Sequence, residues 1–93
     1  MDRALKRFLG ILFARRYIGG KHIPEKRLLT RVRNLLTKEE WKEFQKGYTE
    51  IINEIFILRM KKRTGKGSEW HISLNPRKTE ELKEKMEEEE KWR

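Results

Sequence analysis

Apolar positions recur at helical spacing in three stretches and then begin to alternate. Leu5, Phe8, Leu9 and Leu12 fall three and four apart, with Arg3, Lys6, Arg7 and Arg15 around them, which predicts a helix over 3–18. Gly19-Gly20 is the expected stop, since paired glycines favour a helix C-terminal turn. Gly10 is a weak helix former, so its presence inside this helix points to a close helix contact there. Lys21-His22-Ile23 is extended, because the residue before a proline is pushed toward β geometry. Pro24 then suits the first position of a helix over 24–33, and Glu25 complements its positive end. Leu28, Leu29 and Val32 form the apolar side of that helix, and Asn34-Leu35-Leu36 reads as a turn with two buried leucines.

Thr37-Lys38-Glu39-Glu40 is a capping-box pattern, with Thr37 as the cap. It opens a third helix over 38–55, in which Trp41, Phe44, Tyr48, Ile51, Ile52 and Ile55 lie within roughly 100° of one another. The period then drops to two. Phe56, Leu58 and Met60 alternate with Ile57, Arg59 and Lys61. Trp70, Ile72 and Leu74 alternate with His71, Ser73 and Asn75. The turn Thr64-Gly65-Lys66-Gly67-Ser68 between them makes the pair a β-hairpin. After Asn75-Pro76, Thr79 is the expected cap of a last helix to about residue 90, with only Leu82 and Met86 as its stripe and Trp92 beyond.

Charge narrows the class of partner. The 93 residues hold 24 Lys and Arg against 15 Asp and Glu, a net charge of +9. The excess lies in the body: residues 77–93 carry six basic residues against seven glutamates. Two units are therefore expected, residues 1–76 as the domain and 77–93 as a charged helix or tail. A basic body of this kind attracts polyanions, nucleic acid before an anionic membrane surface. Nine aromatics argue against a disordered chain. Without cysteine, disulfides, thiol catalysis and Cys-ligated zinc are excluded. The apolar run Phe8–Ala14 is too short to span a bilayer, and the first residues lack a signal-peptide cleavage pattern. The expectation is a soluble, cytoplasmic, nucleoid-associated protein. Abundant Lys, Arg and Glu with no Cys is also a thermophile-like composition.

The order helix, short strand, helix, turn, helix, strand, basic loop, strand is carried by KHIPEKRLLTRVRN, TKEEWKEFQKGYTEIINEI and FILRMKKRTGKGSEWHISLNP. It resembles the winged helix-turn-helix superfamily, in particular the small winged-helix proteins of archaea and of the viruses and plasmids that replicate in them. The resemblance covers about residues 3–75. It implies an α+β, mostly helical fold: a three-helix core, a short strand plus a β-hairpin wing, here with an extra C-terminal helix. It also implies a docking mode, with helix 38–55 in the major groove and the wing 59–69 on the backbone or minor groove.

The residues support an interface independently. At 100° per residue from Lys38, the positions of Lys42, Gln45, Lys46, Thr49 and Asn53 share with Lys38 a stripe of about 100° that holds no acid. Glu39, Glu43, Glu50 and Glu54 fall on the neighbouring stripe. Lys suits guanine, and Gln or Asn suits adenine. The alternative is a solvated face with Glu39–Lys42 and Glu43–Lys46 pairs, but sorted stripes place like charges at i,i+4, which disfavours it. In the wing, Arg59, Lys61, Lys62, Arg63 and Lys66 supply five cations over eight residues, more than edge protection needs. Gly65 and Gly67 admit close backbone approach to a phosphate. Arg27 and Arg31 extend the set, and the helix N-terminus near Thr37 offers amides to a phosphate.

No catalytic, metal or cofactor constellation is expected, and the chain reads as a non-enzyme. Asp2 is the sole aspartate, and Ser68 has no base partner. His22 and His71 become neighbours if their strands pair, yet two histidines make a poor zinc site, and His71 has the outward parity of its strand. Trp41 and Trp70 have the buried parity of their elements, which favours core packing over stacking on unpaired bases. The leading expectation is a double-stranded DNA-binding protein acting as a transcription regulator. The alternatives are an RNA- or ribosome-associated domain and a protein-interaction module. A homodimer through the first and last helices would read paired half-sites.

Overall fold

A computed structural model describes residues 1–88. Its elements are α1 (Arg3–Ala14), β1 (Ile23–Pro24), α2 (Glu25–Arg33), α3 (Lys38–Asn53), β2 (Ile57–Thr64), β3 (Gly67–Leu74) and α4 (Thr79–Glu87). The fold is α+β, four helices with a three-stranded antiparallel sheet in the order β1-β3-β2. No described helix is long and apolar enough to cross a membrane.

The apolar faces of the helices build one core. Leu5, Phe8, Leu9 and Leu12 of α1, Leu28 and Val32 of α2, and Phe44, Tyr48 and Ile51 of α3 meet Ile57, Ile72 and Leu74 of the sheet. Leu82 of α4 enters the same core, so the expected tail beyond residue 76 is anchored to the body through residue 87. Leu5, Phe8, Leu9 and Leu12 of α1 and Leu82 of α4 are buried within the chain, while Ile11 and Phe13 of α1 and Met86 of α4 are only partly buried. Trp92 lies outside the described residues.

Both α1 and α3 end sooner than periodicity predicts, and by the same device. α1 stops at Ala14, not 18: Arg16 takes φ 55°, its amide donates to Phe13, and that of Tyr17 donates to Leu12. Tertiary pairing draws the chain away here, since Leu74 donates to Tyr17 and Gly19 donates to Leu74. α3 stops at Asn53 because Ile55 takes φ 62°, with Ile55 and Phe56 donating to Ile52 and Ile51. Ile55 is therefore turned to solvent and leaves the core stripe. Leu35 is also exposed; of the two leucines in that turn only Leu36 packs partly inward.

Smaller boundaries shift as well. Pro24 sits just before α2, and its preceding strand is Ile23–Pro24. Lys78 precedes α4, and Thr79 is its first helical residue rather than its cap. The helix ends at Glu87; residues 89 and 90 lie outside the described ones. The close helix contact is at Gly47, not Gly10. A Cβ on Gly47 would stand 2.8 Å from Leu5 Cδ2, whereas one on Gly10 meets nothing within 4 Å.

The hairpin is longer than the sheet that supports it. β2 and β3 pair from Ile57↔Leu74 to Thr64↔Gly67, leaving only Gly65-Lys66 as the loop. β1 covers β3 only at Ile72 and His71. Burial follows that support: Gly67–Trp70 are exposed and His71–Leu74 are buried.

Candidate nucleic-acid interface

The capping box forms as its sequence implies. Thr37 Oγ1 accepts from the Glu40 amide at 3.2 Å, and Glu40 Oε1 accepts from the Thr37 amide at 2.9 Å. Hydrogen bonding to the carboxylate from the Thr37 amide, and then from the Thr37 side chain, holds Glu40 below its ordinary range. Thr37 thus positions α3, while the end of the helix already has a carboxylate from its own chain.

Beyond the cap, Phe44, Tyr48 and Ile51 turn inward, so the opposite stripe faces water. Lys38, Lys42, Gln45, Lys46, Thr49 and Asn53 are all exposed. Lys46 has a loose 3.5 Å contact with Glu43, and the Thr49 hydroxyl donates to the Gln45 carbonyl at 2.9 Å. On the acidic stripe, Glu54 is drawn away by α4 through a 3.1 Å pair with Lys85. Arg27 and Arg31 stand exposed on α2.

The hairpin cations divide into two groups. Lys61, Lys62, Arg63 and Lys66 are exposed around the tip. Arg59 is held lower down: its guanidinium donates to Glu25 Oε1 at 2.9 Å and lies 4.5 Å from the centroid of the Trp70 ring. Gly67 takes φ 136°, a conformation that needs glycine, so it shapes the turn.

Sequence position gives Glu25 only a helix-end role, yet it is the hub of a buried network. It is 7% exposed and accepts from Tyr48 Oη at 2.6 Å as well as from Arg59. Burial, then the bond to Glu25, pushes the Tyr48 phenol well above its ordinary range. The network ties α2, α3 and β2 together beneath the interface. No sequence signal marks it, since its three members are 34 residues apart at the extremes.

His71 and Trp70 exchange the environments their strand parity suggests. His71, on the outer face of the sheet, is buried because His22 and Pro24 come over it. Its Nδ1 lies 2.7 Å from His22 Nδ1, and its Nε2 lies 3.1 Å from Glu69 Oε1. If the Nε2–H donates to Glu69, Nδ1 accepts from His22, and every facing nitrogen is satisfied. Among the described residues no group of three or more His, Asp or Glu is arranged to hold a metal ion. Trp70 shares the core-facing side with Ile72 but lies past the packed base, and is 42% exposed. Trp41 is half-buried, stacked on Phe44.

No family model matches the chain, and no curated protein or solved structure matches it.

Proposed function

We propose that the protein is a winged-helix binder of double-stranded DNA, with α3 as the reading helix and the β2–β3 hairpin as the wing, and that it acts in transcription regulation. One observation carries the reading: the exposed stripe of α3 presents three lysines, two amides and a hydroxyl without an acid, and its glutamates occupy the adjoining stripe. A major groove admits an α-helix, and Lys, Gln and Asn address base edges there. The exposed cations at the hairpin tip suit phosphates, which set register without reading sequence. The element order and the sheet order β1-β3-β2 support the winged-helix assignment.

The test is a fluorescence-anisotropy titration of a mixed-sequence duplex at several salt concentrations, with an RNA hairpin as competitor. Six to eight phosphate contacts give a log–log salt slope of roughly −5 to −7. A steep slope with duplex preference, abolished by Lys42→Glu with Lys46→Glu, is the expected result. Preference for the RNA hairpin overturns the DNA assignment. A flat slope, or no binding near 100 mM salt, overturns nucleic-acid binding altogether.

A further inference from the structure

The hairpin leans over α2 and leaves a cleft of about 450 Å³ between them. Lys26, Leu29 and Arg33 line it from one face of α2, Trp41 closes one end, and Glu69 and Trp70 stand on the β3 side. That volume lies within the ~300–1,000 Å³ of small-ligand sites. The duplex reading leaves this cleft and both indoles without a role.

Two features give the cleft a chemical preference. The first is aromatic. Trp41 is the outer ring of a stack, 5.3 Å and 13° from Phe44, which is itself 5.7 Å and 12° from Tyr48. Trp70 is the opposite wall, held by Arg59 at 4.5 Å and Lys61 at 5.8 Å from its ring centroid. Both indoles are thus fixed by neighbours while part of each surface stays open. The second feature is positive charge along the rim. Arg33 lies 5.6 Å from the Trp41 centroid, and Lys26 is exposed on the same face of α2, two turns before it. The acids in the lining are engaged: Glu25 holds Arg59 and Tyr48, and Glu69 contacts His71. Flat aromatic walls with cations at the rim match a planar base flanked by phosphates. A base inside a duplex has both faces covered by its neighbours, so only an unpaired base presents a free face to an indole.

We infer that this cleft binds one unpaired nucleobase of a single-stranded DNA extension next to the bound duplex. The base stacks on Trp70 on the side facing Trp41, and Lys26 and Arg33 take the flanking phosphates. The inference rests on the duplex reading and adds a structural preference to it: duplex ends, gaps or openings rather than uninterrupted duplex.

The test compares the full chain on four DNAs sharing one duplex: blunt, with a three-nucleotide 3′ extension, with a three-nucleotide 5′ extension, and with abasic extensions of equal length. Base–aromatic stacking is worth about 5- to 150-fold in affinity per base. One base-bearing extension is expected to bind at least ~5-fold tighter than the blunt duplex and to quench tryptophan fluorescence. The abasic extensions are expected to show little of that gain. The ratio of extended to blunt affinity is expected to fall to near one in Trp70→Ala and to recover in part in Trp70→Phe. Circular dichroism checks that both variants fold. Blunt-duplex binding with no gain from either extension, an equal gain from abasic extensions, or a ratio unchanged in folded Trp70→Ala each overturns the cleft while leaving the duplex reading intact. Failure to bind any of the four overturns both.

Discussion

The Tyr48 hydroxyl donates to the Glu25 carboxylate at 2.6 Å, deep between α3 and α2, and this bond fixes how the proposed reading helix sits on the body. The carboxylate's other oxygen takes Arg59 at 2.9 Å from β2, so one acid sets three elements at once. Tyr48→Phe removes a donor from a buried carboxylate, and the expected loss is about 1–3 kcal/mol. Arg59→Met leaves the same charge without its counter-ion. A fully buried pair loses ~3–5 kcal/mol in this way. With the Arg59 side chain 34% exposed, about 2–3 kcal/mol is expected here. Urea unfolding of both single variants and the double variant measures the coupling. Additive losses would show that the three groups do not act as one network.

The raised Tyr48 phenol has a defined pH signature. The folded chain keeps this proton above pH 10.0, the ordinary value at which the unfolded chain releases it. The unfolded state then binds fewer protons, so the contribution is complete below that pH and is lost as the pH rises beyond it. Wild type is expected to lose up to ~1.4 kcal/mol more per pH unit than Tyr48→Phe in the alkaline range. Parallel stability curves for the two proteins above pH 10.0 would rule this out.

Four backbone positions separate by sign. Ile55 and Arg16 hold φ 62° and 55°, which cost L residues roughly 1–2 kcal/mol and glycine little. Glycine at either position is expected to raise stability by about 1 kcal/mol. Alanine is expected to stabilise at Gly10, by up to ~1 kcal/mol, because the site is open and helical. At Gly47 alanine is expected to cost about 1–3 kcal/mol, since Leu5 is 2% exposed and has little room to withdraw. Thermal melts of the four variants decide each sign.

The proposed interface predicts two different losses. Lys62→Ala with Arg63→Ala removes two phosphate contacts and is expected to make the salt slope shallower by about 1.8 at every sequence tested. Gln45→Ala is expected to leave the slope unchanged and to reduce discrimination between duplexes differing by one base pair. A unchanged slope in the double variant would remove the hairpin tip from the interface.

Helices α1, α2 and α3 and the two long strands were legible from spacing, and the capping box at Thr37 from four consecutive residues. So was the segregation of lysine from glutamate along α3, because all these patterns lie within a few residues of one another. Legibility failed where distant chain set the environment. Arg16 ends its helix where β3 draws the following residues into a ladder. His71 is buried by His22, 49 residues away, although its parity points outward. Trp70 has the parity of the core yet stays 42% exposed, since an open cleft rather than packed side chains lies between it and α2. Glu25, Tyr48 and Arg59 form a network that no local pattern announces. Alternation and helical spacing are local, so they report which residues share a face. Whether a face is covered depends on which element arrives opposite it, and that is settled by packing across the whole chain.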